Sequence, residues 1–480
     1  MNGNDRRTEA ACPCPAARDT LDTPVHVVEL DLAVPGELRS PGGTGPAAPD
    51  GRVLALVRLH GHPLGLVEAT GADPADPGGT YRALVVAAHR ALGPAPDWPA
   101  PRRAPSTSAT SGGPPRRVGG PRMPAGPPPR LSVVIATHDR PELLRQCLDS
   151  LLRADGPPYE VLVVDNAPSG DDAHALIRAR YAGRVRYLRE PVAGLARAHN
   201  LGLAAARGEL TAFTDDDTLV DRHWPAVLTE AFDSDPRIGC VTGLILPTEL
   251  ATPAQAALHR QGGYQKGFSE RRYALDLPSG DPLFPFTAGQ FGSGANMAFR
   301  TGLLRALGGF DPATGAGTPA HGGDDLLAFF RIVSSGLVLD YRPDAIVWHR
   351  HRRTADALAA QLYGYGAGLG AYLAAAVSAD PRLLPVLLRR LPGGLRRALG
   401  QAGHRTTADG ARSTRLALLE LSGMLYGPLG YLRSQHQTER RLAADRRIAR
   451  ASAGAGAAGA VPAPGTAAGT GARRPSLRTG

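Results

Sequence analysis

The residues of this chain most able to do chemistry are three consecutive carboxylates, Asp215-Asp216-Asp217. They follow directly on the apolar run Leu210-Thr211-Ala212-Phe213-Thr214. Like charges at the mouth of a buried strand repel one another, and the repulsion there is poorly screened. Such a cluster is tolerated when a cation sits among it. Hard divalent ions with oxygen ligands, Mg²⁺ or Mn²⁺, suit it, above all where they also carry substrate phosphates. The alternative is a solvated loop that also caps the next helix. The elements that hold the carboxylates decide between the two.

Those elements begin at residue 131. Residues 131–137 form a nearly continuous apolar run, as expected of a parallel strand buried on both faces. Pro141 stands where a first helical turn accepts proline, and Leu144, Cys147, Leu148, Leu151 and Leu152 follow at helical spacing. A second buried strand covers 161–165. A helix near 171–180, a strand at 185–188, a helix near 195–207 and the strand ending at Asp215 continue the alternation. This pattern predicts an α/β fold with a doubly wound, mostly parallel sheet. Ligands of such sheets bind beyond the carboxyl ends of the strands. Thr137, Asp165 and Asp215 fall at those ends and are expected to share one cleft.

Several segments then carry a family likeness. Thr137-His138-Asp139-Arg140, Val164-Asp165-Asn166-Ala167-Pro168, Gly194-Leu195-Ala196-Arg197-Ala198-His199-Asn200-Leu201-Gly202 and Phe213-Thr214-Asp215-Asp216-Asp217 resemble the nucleotide-binding half of a family 2, GT-A-fold glycosyltransferase. Gly294-Ala295-Asn296-Met297-Ala298-Phe299-Arg300, Gly308-Gly309-Phe310-Asp311 and the stretch from Gly323-Asp324-Asp325 to Arg331 resemble its acceptor-side half. The likeness covers about residues 130–352.

The resemblance implies a GT-A, Rossmann-like sheet, a nucleoside-diphosphate sugar donor and a divalent cation, Mn²⁺ or Mg²⁺. It assigns Asp217 to the metal with Asp215 assisting, and Asp215 and Asp216 to the donor side. Asp165 would accept a hydrogen bond from a base N–H, or else cap a helix. Thr137 and Arg140 would touch ribose and phosphate, unless Arg140 is only a solvated residue at a helix start. Arg197 and Asn200 join the donor set, and Gly294 and Asn296 the acceptor and sugar pocket. Asp325 is expected to be the base that takes the proton of the acceptor hydroxyl, supported by Asp324; the competing reading is N-capping. His349 falls where such enzymes place a further metal or diphosphate ligand, and an imidazole suits Mn²⁺ better than Mg²⁺. Arg350, Arg352 and Arg353 are candidates for phosphate contacts.

Two positions depart from the family pattern. His199 stands where Arg usually precedes the helix Asn, with Arg197 a candidate substitute, and Asp324-Asp325 stands where Glu-Asp is usual. The Gln-x-x-Arg-Trp signature of processive members is absent, so one sugar per encounter is expected, transferred with inversion. Two alternatives are an inactive GT-A scaffold in a membrane-bound glycan-assembly complex and a sugar-1-phosphate nucleotidyltransferase. The second lacks its Gly-rich basic loop after the first strand, and a dinucleotide-dependent oxidoreductase lacks its G-x-G-x-x-G there.

The rest of the chain frames this domain. Residues 1–24 and 451–480 read as disordered, and 93–129 as a Pro/Gly-rich linker. Residues 25–92 read as a small α/β accessory domain, and 353–450 as a helical region open to membrane contact. The net charge of +10 comes almost wholly from arginine, with Lys266 the only lysine. Base-stacking aromatics are not interleaved with these charges, so no nucleic-acid partner is expected. Expected partners are the sugar donor and a glycan, lipid-linked or secondary-metabolite acceptor. Cys12, Cys14, Cys147 and Cys240 show no zinc or disulfide spacing, and no signal peptide is read at the N-terminus. A cytoplasmic location follows as the expectation, with peripheral contact at the inner face of the cell membrane left open. Residues 357–377 are long enough to span a bilayer but rich in Ala and Gly; 383–397 form a basic amphipathic stretch, and a second apolar patch covers 416–432.

Overall fold

The computed structural model describes residues 23–70, 77–93, 130–260, 262, 264–402 and 410–458. The N-terminal tail, the linker and the far end of the C-terminal tail expected above lie outside these residues, apart from their edges.

Three strands, β1 (Val25–Asp31), β2 (Arg52–Leu59) and β3 (His62–Thr70), with helix α1 (Pro77–Leu92), form the N-terminal layer. β1 and β2 are parallel and β2 and β3 antiparallel. β3 was not read from the sequence: Pro63 and Gly65 interrupt its alternation, and its register slips beside them. The main domain follows. β4 (Leu131–Thr137), α2 (Pro141–Leu151), β5 (Tyr159–Asn166), α3 (Asp172–Arg180), β6 (Val185–Glu190), α4 (Leu195–Ala205) and β7 (Leu210–Asp215) realise the expected alternation. Next come β8 (Thr218–Val220), α5 (Trp224–Ser234), β9 (Ile238–Pro247), α6 (Pro253–Arg260), β10 (Arg271–Tyr273), β11 (Met297–Arg300), α7 (Thr301–Ala306), α8 (Asp324–Ser334) and β12 (Val338–His349). Helices α9 (Ala355–Ala379), α10 (Leu383–Ala402) and α11 (Gly410–Ala458) complete the chain, and α11 runs eight residues into the stretch expected to be a disordered tail.

The large sheet has the order β10-β12-β9-β11-β7-β4-β5-β6, with β8 paired to β12. β4, β5, β6 and β7 are mutually parallel, as are β9 and β12. Short β11 slots between β7 and β9 antiparallel to both. Both faces of the sheet are covered by buried side chains. Phe213, Phe299, Phe310 and Phe329 lie on one face, and Leu144, Leu148, Trp224 and Leu228 on the other. This two-sided burial is why the strands lack polar alternation.

The accessory strands are fastened to the main sheet. Val25, Val27, Leu54 and Leu56 share a core with Leu244, Leu246, Ile346 and Trp348. Arg58 Nη2 lies 2.6 Å from both Glu29 and Asp221, and all three side chains are buried. Asp221 follows β8 directly, so this layer buttresses the strand that leaves the triple-Asp turn. Arg58→Ala would strand two buried carboxylates without a cation. Urea denaturation should show a loss of about 3–5 kcal/mol.

No helix among the described residues is long and apolar enough to cross a membrane. α9, weighed above as a span, instead packs into the core through Leu358, Leu362, Ala371 and Tyr372, and the Tyr372 hydroxyl donates to Phe286 O at 2.7 Å.

Candidate active site

Strand order reverses on either side of β4, which pairs with β5 on one side and β7 on the other. At this switch point Thr137 lies beside Asp165, and Ala136 beside Asp215. The expected cleft therefore has its wall at the carboxyl ends of three neighbouring strands.

β7 delivers Asp215 at its last residue, and the chain turns through Asp216 and Asp217 into β8. β8 pairs with the end of β12, setting Thr218 opposite His349. Asp217 Oδ1 lies 3.2 Å from His349 Nε2, and the Arg350 N–H donates to Asp217 O at 2.9 Å. Ligand atoms of Asp215, Asp217 and His349 all fall within 4.8 Å of one another. Burial, then the charge of Asp217, pushes the Asp215 carboxyl up to about 7. Burial also acts against ionised Asp217, but His349, Arg352 and Arg140 outweigh it and hold that group at about 2. Burial favours neutral His349, yet the adjoining Asp217 carboxylate raises its pKa overall. Two carboxylates and an imidazole, with Asp217 and His349 buried and Asp215 half-buried, fit a divalent cation, which would compete with protons for the same ligand atoms.

Asp216 is supported differently. Thr137 Oγ1 donates to its Oδ2 at 2.8 Å, and Arg140 Nη1 reaches both Asp216 and Asp217 at 3.3 Å. Burial and neighbouring Asp217 lift the Asp216 carboxyl to about 6. Arg140 is accordingly part of the cluster and not a free surface residue. The hydroxyl proton of Thr137 goes to Asp216, which ties the end of β4 to the acidic turn. On β5, Asp165 is 1% exposed. Its Oδ2 accepts from the Tyr187 hydroxyl at 2.8 Å, while Oδ1 is buried without a partner.

Asp324 and Asp325 open α8. The preceding residue, Gly323, has φ +91°, and an added Cβ would collide with Gly368 O of α9. Glycine is required there twice over. The capping position belongs to this glycine, so neither Asp serves as the N-cap. Asp325 Oδ2 accepts from the Gly294 N–H at 2.8 Å and Oδ1 from the Leu326 N–H at 2.8 Å. Burial, then Asp324, raises its carboxyl to about 6 against these hydrogen bonds. A short chain of contacts joins it to β7: Thr214 Oγ1 donates to Ala295 O at 2.8 Å, one residue from Gly294.

The two departures from the family pattern meet in space. His199 Nδ1 lies 3.3 Å from Asp324 Oδ2, with both side chains buried and His199 packed against Phe213 and Phe310. His199 therefore faces the α8 carboxylates, while Arg197 sits half-buried beside Gly194.

Two further expected site residues brace the frame. Asn296 is fully buried: it donates to Leu244 O at 3.1 Å and Ala345 O at 2.7 Å, and accepts from Trp224 Nε1 at 2.8 Å. It clasps β9, β12 and α5 from a fully buried position. Asn200 donates to Phe310 O at 2.7 Å and accepts from the Phe310 N–H at 2.9 Å, which pins the Gly308–Phe310 turn. Of the three arginines after His349, Arg352 lies 3.8 Å from Asp217, whereas Arg350 bonds Gln146 and Arg353 bonds Glu249.

Two residues at the site were not singled out from the sequence. Tyr264 packs against His349 and His351 and accepts from Gln361 Nε2 at 2.9 Å. Lys266, two residues on, is half-buried within electrostatic reach of Asp325, and burial lowers its pKa. Both sit in a loop without periodicity; being the sole lysine was the one available sign for Lys266.

Comparison with known proteins bears on this arrangement. Residues 132–307 match the family model described as Glycosyl transferase family 2. The chain is similar to the pre-mycofactocin glycosyltransferase of Mycobacterium tuberculosis, 29% identical over 247 residues that cover 49% of this chain and 46% of that protein. It is also similar to the uncharacterized glycosyltransferase EpsJ of Bacillus subtilis, 30% identical over 23% of this chain and 33% of the other. The chain thus spans less than half the length of either curated relative. Among solved structures, a mannosyltransferase of Pyrobaculum calidifontis in complex with GDP-Man and Mn²⁺ aligns at TM-score 0.41 and 21% identity, over 65% of this chain and 90% of that one. The matched segment carries Thr137, Asp165, the triple Asp and Gly294, and over residues 132–307 the chain is similar to glycosyltransferase family 2.

Proposed function

We propose that the protein transfers a single sugar from a nucleoside-diphosphate sugar to an acceptor hydroxyl, with inversion, in a metal-dependent and non-processive reaction. The acceptor is a glycan, a lipid-linked intermediate or a secondary metabolite. The observation that carries this reading is the pairing of an acidic trio suited to a cation with a separate half-buried carboxylate, Asp325, tied through Gly294 and Ala295 to the same strand ends.

Asp217, Asp215 and His349 would hold the cation, Mn²⁺ or Mg²⁺, which when bound supplies Lewis-acid neutralisation of charge on the departing diphosphate. Arg140 and Arg352 add positive charge beside Asp217 for the same diphosphate. The orphaned Asp165 Oδ1 is an acceptor for a base N–H, because a buried lone pair without a donor is costly until one arrives. Asp325 takes the acceptor's proton, with the Gly294 and Leu326 N–H groups holding its orientation. Asp324 and His199 stand behind it.

The base must be ionised to act. Its carboxyl is raised to about 6, so the transfer rate is expected to climb as pH rises through about 6 and to level off above it. A rate indifferent to pH between 5 and 7 would remove Asp325 from that role.

Donor binding is tested by thermal shift with a panel of nucleoside diphosphates, with and without Mn²⁺. The matching nucleotide at 100-fold over its Kd should add about 2.7 kcal/mol of stability. If none raises the Tm, the donor assignment fails.

A further inference from the structure

The C-terminal helices carry an apolar face that the catalytic reading does not use. On α11, Leu418, Leu421, Leu425, Leu429 and Leu432 are all between 47% and 74% exposed. Their spacing of three or four residues places them along one side of the helix. The opposite side is fixed against the rest of the domain. Gly423 and Gly427 approach the backbone of α9 at Tyr363 and Ala367, and Gly430 approaches Pro319. Gly366 and Gly370 of α9 meet the backbone of Glu420 and Met424 in return. Any Cβ at these positions would collide with backbone, so the helix cannot rotate to bury its leucines. Helix α10 likewise leaves Leu384, Leu388 and Leu391 exposed, with Arg382 and Arg389 exposed beside them.

Charge selects the occupant. Residues 381–438 contain nine arginines against only Asp409 and Glu420, so they carry seven of the chain's ten net positive charges. Pairing this face with a second copy of itself would bring two such regions together, and their repulsion opposes a symmetric dimer. An anionic bilayer surface offers both partners at once: acyl chains for leucine and lipid headgroups for arginine. We propose that the leucine face of α11, assisted by α10, rests on an anionic membrane surface, holding the catalytic domain beside a lipid-water interface. This stands independently of the reaction proposed above.

The test is co-flotation of the full chain with vesicles of phosphatidylcholine alone and of phosphatidylcholine mixed with phosphatidylglycerol. Strong binding is expected only to the mixed vesicles, weakening as salt is raised. Leu421→Gln with Leu425→Gln should weaken it about tenfold or more. Arg389→Gln with Arg415→Gln should weaken it roughly thirtyfold, from about 1 kcal/mol per arginine near such a surface. All four positions are exposed, and unchanged circular dichroism and Tm would show that the variants still fold. The proposal is overturned if the protein floats with neither vesicle, or if the leucine variants bind as the parent does. It is equally overturned if light scattering finds a dimer that the leucine variants convert to monomer, which would assign the face to a second copy.

Discussion

Asp325→Asn is expected to slow sugar transfer by about 10²–10⁴-fold, the range a positioned general base contributes, while the KM for the donor changes little. The substitution preserves size but removes the only ionised group that the first turn of α8 presents to Gly294. Folding should survive. Desolvation and neighbouring Asp324 push the half-buried native carboxyl towards protonation, so loss of its charge offsets part of the cost of placing an amide N–H₂ against a backbone donor. Asp325→Glu makes the complementary case: it keeps the charge but displaces it by one methylene, and an intermediate rate is expected because proton transfer needs hydrogen-bond reach. Single-turnover transfer and slow donor hydrolysis, measured alongside a thermal melt, would check both. An Asn variant within about threefold of the parent rate would show that the acceptor's proton leaves by another route.

Asp217→Asn should have the other large effect, and it has readouts that need no substrate. Loss of a supporting residue behind a metal ligand already costs about 10–100-fold in affinity, so loss of a ligand should weaken Mn²⁺ binding by roughly 100-fold or more, as titration calorimetry without donor would record. A second signature comes from His349. Its pKa is raised by the Asp217 carboxylate 3.2 Å away, against the opposing effect of burial. With that carboxylate gone, burial is unopposed by its largest partner, and the imidazole should titrate at lower pH in the metal-free variant by NMR. A variant that binds Mn²⁺ like the parent would dissolve the trio as a metal site.

Much of the frame was legible in the residues because its signals are local. The runs 131–137, 161–165 and 210–215 contain apolar residues on both strand faces, which only a sheet covered on each side satisfies. The intervening helices declare themselves by spacing. The placement of Thr137, Asp165 and Asp215 on one edge followed from the parallel alternation, since each strand then ends on the same side. Residue type also marked the acidic turn and the pair at 324–325, because adjacent carboxylates need a partner wherever they are buried.

What the sequence could not decide was which polar groups would be spent on one another. Asn200 and Asn296 look like donor- and sugar-binding residues in a linear motif. Only the fold reveals that Asn200 is bonded both ways to the Phe310 backbone and that Asn296 spends both its N–H groups on β9 and β12. The meeting of His199 with Asp324 joins positions 125 apart, and the grip of Arg58 on Asp221 joins positions 163 apart. Nothing in either local pattern anticipates the other. The leucines of α11 were visible as an apolar patch, but their outward direction was set by glycine-to-backbone contact with α9. Periodicity determines that a helix has an apolar side. Which way that side faces depends on what packs against the other, and that is a property of the assembled chain.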